Sequence, residues 1–253
     1  MHTSPPDLGI VAPVFNEGGC IREVLDSWIL VLEDGKYRSL WNSYEIVLCD
    51  DGSTDETVQL IQEKIKHNSN IKIVQNSSNS GAGISLARAI ANTTCKYIVL
   101  MDSDGQFDPN QIASMYQKLT KWEAVCGIRV KSSSFSHRAA SRLSTKYANF
   151  LLKSNVEDFN CQFKIVPGDF LRKAQLRSVR MNYSGEITWQ ILKSNLSVAW
   201  IGVAHKERLA GNSKTKLLRD GISRFQFLTF LGFEKKLEDR KIINLDKTNG
   251  YQK

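Results

Sequence analysis

The chain has 253 residues, of which 42% are hydrophobic and 24% charged, and its formal net charge is +8. This length and composition suit one large α/β domain and exclude a globally disordered or fibrous chain. The charge is uneven, with a net −6 over residues 1–128, +8 over 129–204 and +6 over 205–253. The acidic part suits a metal site and the basic part suits phosphates or an anionic membrane surface. Nucleic acid is the alternative partner, but no binding motif accompanies the charge, so we expect none.

The N-terminus and the cysteines indicate a cytoplasmic protein. Residues 1–8 lack the basic and apolar regions of a signal peptide. The five cysteines are widely spaced and include no CxxC pair, which favours reduced thiols over disulfides or a zinc site.

Short apolar runs alternate with segments of helical periodicity along the first half of the chain. The apolar runs predict strands at 8–14, 44–49, 71–74, 97–101 and 124–128. The periodic segments predict helices at 21–32, 55–66, 83–91 and 109–120. This alternation predicts a mostly parallel sheet flanked by helices, that is, an α/β fold.

The second half is less regular. It predicts helices at 137–153 and 184–192 and strands at 161–166 and 198–204. Because no Gly/Ser-rich linker interrupts it, we expect one domain over residues 8–214.

An amphipathic helix is expected at residues 215–233, with a loosely ordered polar tail at 234–253. One face of this helix carries apolar residues, namely Leu217, Leu218, Ile222, Phe225 and Leu228. The apolar run is shorter than the roughly 20 residues that span a bilayer, so an interfacial helix fits better. The alternatives are a helix that packs on the domain's own core and one that binds a membrane-protein partner.

Two aspartates directly follow the fourth predicted strand. Residues two apart in an extended chain project to the same side, so the carboxylates of Asp102 and Asp104 are expected to face one ion. Hard divalent cations prefer oxygen ligands, and Gln106 offers an amide oxygen in addition. The motif predicts a Mg²⁺ or Mn²⁺ site; the alternative is a solvated acidic turn.

Polar clusters also follow the first and second predicted strands, at 16–17 and 50–53. Ligands of parallel sheets bind outside the carboxyl ends of the strands, so these clusters are expected to share one site with the aspartates. A carboxylate at Asp50 can accept hydrogen bonds from a ribose or a base, or simply close a turn. The glycine loop at 79–83 opens a helix whose N-terminal amides favour anions, or is only a turn.

Together the clusters resemble the inverting family-2 glycosyltransferases, which have a GT-A fold. The resemblance covers residues 8–130 and rests on PVFNE at 13–17, DDGSTD at 50–55, the segment 79–88 and DSDGQFDP at 102–109. Within the family the chain most resembles the dolichyl- and polyprenyl-phosphate sugar transferases. That likeness rests on DSDGQ at 102–106, GIR at 127–129 and RLAGNSK at 208–214.

The resemblance implies a role for each matching residue. Asp102, Asp104 and Gln106 would bind the metal, and Asp102, Asp104 and Arg208 would act on the leaving diphosphate. The donor, a GDP- or UDP-sugar, would be held by residues from all the matching segments: Pro13, Phe15, Asn16, Glu17, Asp50, Asp51, Gly81, Arg88, Asp102, Ser103, Asp104, Arg129, Arg208 and Lys214.

The chain departs from the family pattern on the acceptor side. The family segment D-x-x-x-G-F-[RK] reads DFNCQFK at 158–164, with Gln162 in place of glycine. Arg138 and Arg142 are both candidates for the arginine of the family's R-x-x-x-S motif. We expect Arg129, Arg138 and Arg142 to bind the acceptor. In the glycine loop, Ala82 stands where the family often has a basic or small residue.

The function predicted is metal-dependent, inverting transfer of a sugar to polyprenyl or dolichyl phosphate, by a protein bound peripherally at the inner membrane face. A lipid phosphate needs no strong general base; a hydroxyl acceptor needs one, for which Asp158 and then Glu186 are the candidates. One alternative is a family-2 enzyme that glycosylates a glycan hydroxyl in cell-surface polysaccharide synthesis. Another is a nucleotide-sugar-binding protein without turnover. A Rossmann oxidoreductase would need G-x-G-x-x-G after the first strand, which is absent.

Overall fold

The computed structural model describes residues 6–37, 39–131, 135–180, 182–209 and 217–249. Its strands are β1 (Leu8–Val14), β2 (Tyr44–Asp50), β3 (Ile71–Gln75), β4 (Tyr97–Leu100), β5 (Ala124–Lys131), β6 (Lys164–Pro167) and β7 (Val198–Ala204). Within the described residues they form a seven-stranded sheet in the order β3-β2-β1-β4-β6-β5-β7. β6 is antiparallel to β4 and β5, and the other neighbours are parallel. The predicted α/β fold with a mostly parallel sheet is confirmed.

The helices fill the connections between the strands. They are α1 (Ile21–Glu33), α2 (Thr57–His67), α3 (Ala82–Ala91), α4 (Gln111–Tyr116), α5 (Phe135–Leu152), α6 (Gly168–Lys173), α7 (Tyr183–Lys193) and α8 (Leu217–Asn249). The helix predicted for 109–120 begins late, because the Asp108 carboxylate accepts the Asn110 N–H at 3.1 Å in a turn before it. The strand predicted for 161–166 begins at Lys164, and α6 is too short to show a helical period.

Alternate residues of the central strands enter two different cores, since successive strand side chains point to opposite faces. On one face Ile10 of β1 packs in a cluster with Trp28 of α1 and Ile61 of α2. On the other face Val11 clusters with Leu86 of α3. Helices therefore cover both faces, which explains why the strands are nearly continuous apolar runs. Ligand-binding side chains are left to gather at the carboxyl edge of the sheet.

The strand order brings the three predicted polar clusters together. β1 lies between β2 and β4, with Val14 opposite Asp50 and Val11 opposite Leu100. All three strands run in the same direction, so the loops that follow them leave the sheet side by side. The cysteines also fit expectation, since all five lie in described segments, are buried and form no disulfide.

The C-terminal helix α8 packs on the domain's own core. Leu228 and Leu231 are 2% and 0% exposed, in a cluster with residues of α5 and α7. Of the predicted apolar face, Leu228 is buried and Phe225 half-buried, whereas Ile222 is 56% exposed. α8 also continues through residues 234–249, where a loosely ordered tail is expected. A contact remote in sequence anchors this part: Arg177 Nη2 lies 2.7 Å from Glu234 Oε2.

Replacing Leu231 by alanine is expected to destabilise the whole domain by about 2–5 kcal/mol, because the side chain is fully buried between α8 and α5. Urea unfolding followed by circular dichroism measures the change. The matched control is Phe233→Ala, whose side chain is 61% exposed and whose loss should change stability little. Equal effects of the two substitutions would show that α8 does not dock as described.

Candidate functional site

The loop after β1 is fixed against the loop after β2. Asn16 has a φ of 50°, and its side-chain oxygen accepts the Thr54 N–H at 2.8 Å. The Asn16 N–H donates to Ser53 Oγ, and the Glu17 N–H donates to Thr57 Oγ1, both at 2.8 Å. The bonds of Asn16 thus join the loop after β1 to the loop after β2, and they hold Glu17 at the edge of the sheet.

The two aspartates at the end of β2 are buried and bonded to backbone. Asp50 accepts the N–H groups of Gly52 and Ser53 at 3.2 and 3.1 Å, which closes the turn. Asp51 accepts the Ser80 N–H at 2.8 Å and the Gly81 N–H at 3.0 Å. These bonds hold the glycine loop beside the loop after β2. The donor-binding roles of both aspartates stay predictions.

The glycines of the 79–83 loop allow the backbone of residues 178–179 to approach closely. A Cβ atom on Gly81, which has a φ of 102°, would lie 2.3 Å from the Val179 carbonyl oxygen. One on Gly83 would lie 1.8 Å from the Ser178 carbonyl oxygen. The Gly83 N–H donates to the Val179 carbonyl at 3.0 Å. Because the amides of Gly81 and Gly83 already have protein partners, the structure gives no support to an anion site there.

Of the two aspartates after β4, Asp104 lies in a turn with Ser103, and Gly105 follows with a φ of 76°. The backbone between the two aspartates is therefore not a continued strand, and their joint role as metal ligands stays a prediction. Ser103 Oγ donates to the Pro13 carbonyl at 2.9 Å, which ties the turn to β1. Asp102 Oδ1 accepts a hydrogen bond from the Tyr183 hydroxyl at 3.3 Å. The turn is thus held from two sides, by β1 and by α7.

Ionisation of these aspartates is disfavoured. Burial, and then the charge of Asp104, raise the pKa of Asp102 to about 7. Burial also raises the pKa of Asp104, although the positive charge of Arg208 opposes it. Carboxylates that repel one another in a partly buried place are stabilised by a cation.

Arg208 bridges carboxylates from two strand ends. Its Nη2 lies 2.6 Å from Glu17 Oε1, and its Nη1 lies 3.2 Å from Asp104 Oδ2. The segment that carries Arg208 pairs with the turn, since the Lys206 N–H donates to the Gln106 carbonyl at 2.7 Å. Gln106 Nε2 donates back to the Lys206 carbonyl at 3.1 Å. Gln106 therefore uses its amide nitrogen within the fold, and its role as a metal ligand stays a prediction.

A second, balanced ion pair lies near Asp102. The Nε and Nη2 atoms of Arg129 lie 2.7 and 2.9 Å from the two carboxylate oxygens of Asp158, and Nη2 also donates to Ser141 Oγ at 3.0 Å. Burial raises the pKa of Asp158, but the bonds and charge of Arg129 outweigh it and hold that pKa below its usual value. A lowered pKa does not favour Asp158 as a general base. Its more evident role is to orient Arg129.

The second candidate base, Glu186, is structural. It is fully buried in α7, and its carboxylate accepts the backbone N–H groups of Arg177 and Ser178 at 2.9 and 2.8 Å. Both atoms of the carboxylate are therefore used to hold the segment that closes over α3.

The other predicted residues lie apart from this cluster or outside the described residues. Arg88 turns towards the end of β3, where it donates to the Gln75 carbonyl at 3.1 Å. Arg142 is exposed on α5. The side chain of Arg138 and all of Lys214 fall outside the part of the chain that the structure describes. Their donor and acceptor roles stay predictions.

Tyr183 is a site residue that the sequence analysis misses. It enters from α7 and reaches Asp102 across 81 positions of sequence. A lone tyrosine at the start of a helix carries no motif, so only the packing of α7 on the sheet reveals it.

Comparison with known proteins identifies a family and several relatives. Residues 9–179 match the family model "Glycosyl transferase family 2". The chain is 28% identical to a dolichyl-phosphate beta-glucosyltransferase of Dictyostelium discoideum, over 90% of this chain and 76% of the relative. It is 24% identical to an undecaprenyl-phosphate 4-deoxy-4-formamido-L-arabinose transferase of Klebsiella pneumoniae, over 87% of this chain and 66% of the relative.

A solved structure shares the fold. Glucosyl-3-phosphoglycerate synthase from Mycobacterium tuberculosis, in complex with Mn²⁺, UDP and glucosyl-3-phosphoglycerate, superposes with a TM-score of 0.67 at 17% identity. The match covers 88% of this chain and 80% of the synthase. At this identity the likeness establishes the fold alone, and that fold is the predicted GT-A type.

Replacing Asp102 by asparagine is expected to raise the melting temperature of the metal-free protein at pH 8. The pKa of about 7 exceeds the ordinary value of 3.8, so the folded state favours the protonated form. Stability from this group is full below pH 3.8 and is lost as the pH rises through 7. The increase in melting temperature of the variant over the wild type should therefore be smaller at pH 5 than at pH 8.

Calorimetry in EDTA at both pH values measures this difference. The exposed substitution Glu23→Gln on α1 is the control and should show no such pH dependence. A melting temperature that falls at pH 8 in the Asp102 variant would contradict the repulsion described above.

Proposed function

The chain belongs to glycosyl transferase family 2, as a glycosyltransferase that depends on a nucleotide sugar, and we propose that it transfers the sugar to polyprenyl or dolichyl phosphate. The transfer would proceed with inversion and require a divalent cation. The observation that carries the proposal is the cluster of Glu17, Asp102, Asp104 and Arg208 where β1 and β4 end. Acidic groups that favour a cation lie there beside a guanidinium that can bind phosphate.

The charges of this cluster fit Mg²⁺ or Mn²⁺. Among the described residues of the cluster, three carboxylates accompany one guanidinium, so negative charge is in excess when all are ionised; burial first, and then the charge of Asp104, raise the pKa of Asp102. A hard divalent cation prefers carboxylate oxygens together with substrate phosphates. Asp102 and Asp104 would hold the ion, with the Gln106 oxygen as a further ligand. When bound, the ion would offset the charge of the departing diphosphate.

Arg208 would serve the same leaving group. A guanidinium binds phosphate oxygens with the geometry it uses for carboxylates, so it can turn from Glu17 towards a diphosphate. The attraction at 4 Å is about 4 kcal/mol at an effective dielectric near 20, against about 1 kcal/mol in water. A partly buried Arg208 is therefore more effective than an exposed cation. Lys214 would add a second positive charge.

The nucleoside would bind beside β1 and β2. The loops fixed by Asn16 and Asp50 leave Pro13 and Phe15 only partly buried at the edge where sheet ligands bind. Phe15 offers an apolar surface to a base, and the Asp50 carboxylate lies in the neighbouring turn. UDP is bound in the mycobacterial synthase of the same fold, which makes a UDP-sugar the first donor to test.

The state of the two candidate bases favours a phosphate acceptor over a hydroxyl. A hydroxyl nucleophile needs a carboxylate that can take its proton, whereas a lipid phosphate is already anionic. Asp158 is paired with Arg129, and Glu186 holds two backbone amides. The relatives from Dictyostelium and Klebsiella are named for lipid-phosphate acceptors.

An exposed apolar surface on α5 and α8 supports a peripheral place at the membrane. Tyr147 of α5 contacts Phe225 and Thr229 of α8, so the two helices lie side by side. Large apolar side chains beside this seam are 42–79% exposed, and we call them the two-helix surface: Leu143, Phe150, Ile222, Phe230, Phe233 and Leu237. No helix in the described residues has the length and hydropathy needed to cross a bilayer.

Basic side chains adjoin the two-helix surface. Arg142 and Lys146 of α5, and Lys153 directly after it, are exposed near Leu143 and Phe150. Each basic residue near an anionic bilayer contributes about 1 kcal/mol, and buried apolar area adds about 25 cal/mol per Å². These terms favour reversible binding at the cytoplasmic face, close to a lipid-linked acceptor.

Purified protein is expected to release nucleoside diphosphate from a UDP- or GDP-sugar when polyprenyl phosphate and Mg²⁺ or Mn²⁺ are present. EDTA should abolish the release, and Asp104→Asn should lower turnover by about a hundredfold or more. The anomeric configuration of the product, read by NMR, should be opposite to that of the donor. Glu23→Gln is the control and should keep full activity.

Two results would decide against parts of this proposal. Full activity in excess EDTA would exclude the metal. Transfer to a glycan hydroxyl with none to polyprenyl phosphate would favour the alternative acceptor.

The double variant Phe230→Ser and Phe233→Ser is expected to bind anionic vesicles more weakly than the wild type, because both side chains belong to the two-helix surface. Flotation with phosphatidylglycerol-containing vesicles at low and high salt measures binding. Trp122→Ser, at an exposed position outside the two-helix surface, is the control. Wild-type protein that fails to float with the vesicles would exclude a membrane role for this surface.

A further inference from the structure

Gln162 is a buried amide that the fold leaves unbonded. Its side chain is 3% exposed, and neither Nε2 nor Oε1 has a hydrogen-bond partner among the described residues. Burying an unpaired amide is unfavourable, and native proteins bond most buried polar groups. A polar side chain kept in this state is one that a ligand can satisfy.

The strand order places the segment of Gln162 at the edge of the sheet that holds the candidate site. Leu100, the last residue of β4, lies opposite Lys164, the first residue of antiparallel β6, so the chain before β6 and the chain after β4 leave the sheet at the same edge. Lys164 also bonds Ser184 of α7, whose neighbour Tyr183 donates a hydrogen bond to Asp102. On the other side, a Cβ on Gly127 of β5 would lie 2.8 Å from the Phe163 carbonyl oxygen, so the 161–163 segment lies close against β5.

The chain next to Gln162 is fixed, so the amide has little freedom to find another partner. Lys164 is fully buried and donates to the Cys161 carbonyl and, at 3.1 Å, to Ser184 Oγ of α7. The Gly127 N–H donates to the Phe163 carbonyl at 2.9 Å. These bonds hold the segment on both sides of Gln162.

The chemistry of a primary amide points to a sugar. An amide offers two N–H donors and one carbonyl acceptor, and sugar hydroxyls both donate and accept, so the two can bond in both directions. A phosphate only accepts and would leave Oε1 unpaired, and an isoprenoid chain does neither. The glycine of the resembled family motif has no side chain at this position, so this contact would be particular to the present chain.

We propose that Gln162 hydrogen-bonds hydroxyl groups of the transferred sugar and so helps to select the donor. This inference rests on the proposed function, because it assumes that the sugar of the nucleotide donor lies beside Asp102. It assigns specificity to a residue that contacts the sugar and leaves the nucleotide to the loops of β1 and β2.

The test compares Gln162→Met, which keeps the volume and removes the amide, with the wild type and with the exposed control Gln117→Met. The probes are UDP, UDP-glucose, UDP-galactose and GDP-mannose with Mn²⁺. Gln162→Met should raise the melting temperature of the ligand-free protein, since an unpaired buried amide is gone. It should lower kcat/KM for the preferred donor by roughly ten- to a hundredfold. The ratio of kcat/KM between the preferred donor and the other sugars should become smaller. Affinity for UDP alone should not change.

Three outcomes would overturn the proposal: unchanged kcat/KM and donor preference, an equal loss of affinity for UDP, and a lower melting temperature with normal activity. If the wild type turns over none of the donors, the proposed function fails. The role of Gln162 is then tested by thermal shift. A UDP-sugar should raise the melting temperature of the wild type more than UDP does, and this difference should be absent in Gln162→Met. A wild type that binds UDP-sugars no better than UDP also overturns the proposal.

Discussion

The ion pairs of Arg208 stabilise the edge of the sheet where the carboxylates of Glu17 and Asp104 would otherwise repel each other. Parallel pairing of β1 with β4 forces the loops after these strands together, and both loops carry carboxylates. Glu17 and Asp104 each contact the guanidinium, at 2.6 and 3.2 Å. Leaving such buried carboxylates without a cation would cost several kcal/mol. The hydrogen bond from the Lys206 N–H to the Gln106 carbonyl holds the segment of Arg208 beside these carboxylates.

The two ion pairs of the site differ in balance, and this difference separates their roles. Arg129 and Asp158 match one guanidinium with one carboxylate in a bidentate contact, so they need no further charge. Among the described residues of the Arg208 cluster, three carboxylates accompany one guanidinium, so further positive charge would stabilise the cluster. The Arg129–Asp158 pair therefore suits a structural role, whereas the excess of carboxylates around Arg208 suits the binding of a cation.

The first half of the fold could be predicted because its signals are local. Apolar runs such as 44–49 report burial on both faces, and the polar clusters stand directly at the strand ends. Contacts between distant segments could not be predicted. The glycines of the 79–83 loop signal a close approach, but the sequence does not say that the approaching group is the Val179 carbonyl. The exposure of Ile222 on α8 could not be predicted for the same reason, since packing on α5 and α7 determines which apolar residues of α8 are covered.

The acidic cluster would suit both a metal-bound donor and an anionic acceptor, as we propose for this chain. Burial, and then the charge of Asp104, raise the pKa of Asp102, and a bound cation would remove the cost of ionising it. A divalent ion and Arg208 together would balance the charge of the three carboxylates, so that an incoming phosphate would not meet an excess of negative charge. Because Asp158 is paired with Arg129, an acceptor that brings its own negative charge would suit the site better than one that must first lose a proton. Arg129 also donates to Ser141 of α5, so the ion pair contacts the helix that carries part of the two-helix surface, where the proposed lipid carrier would approach.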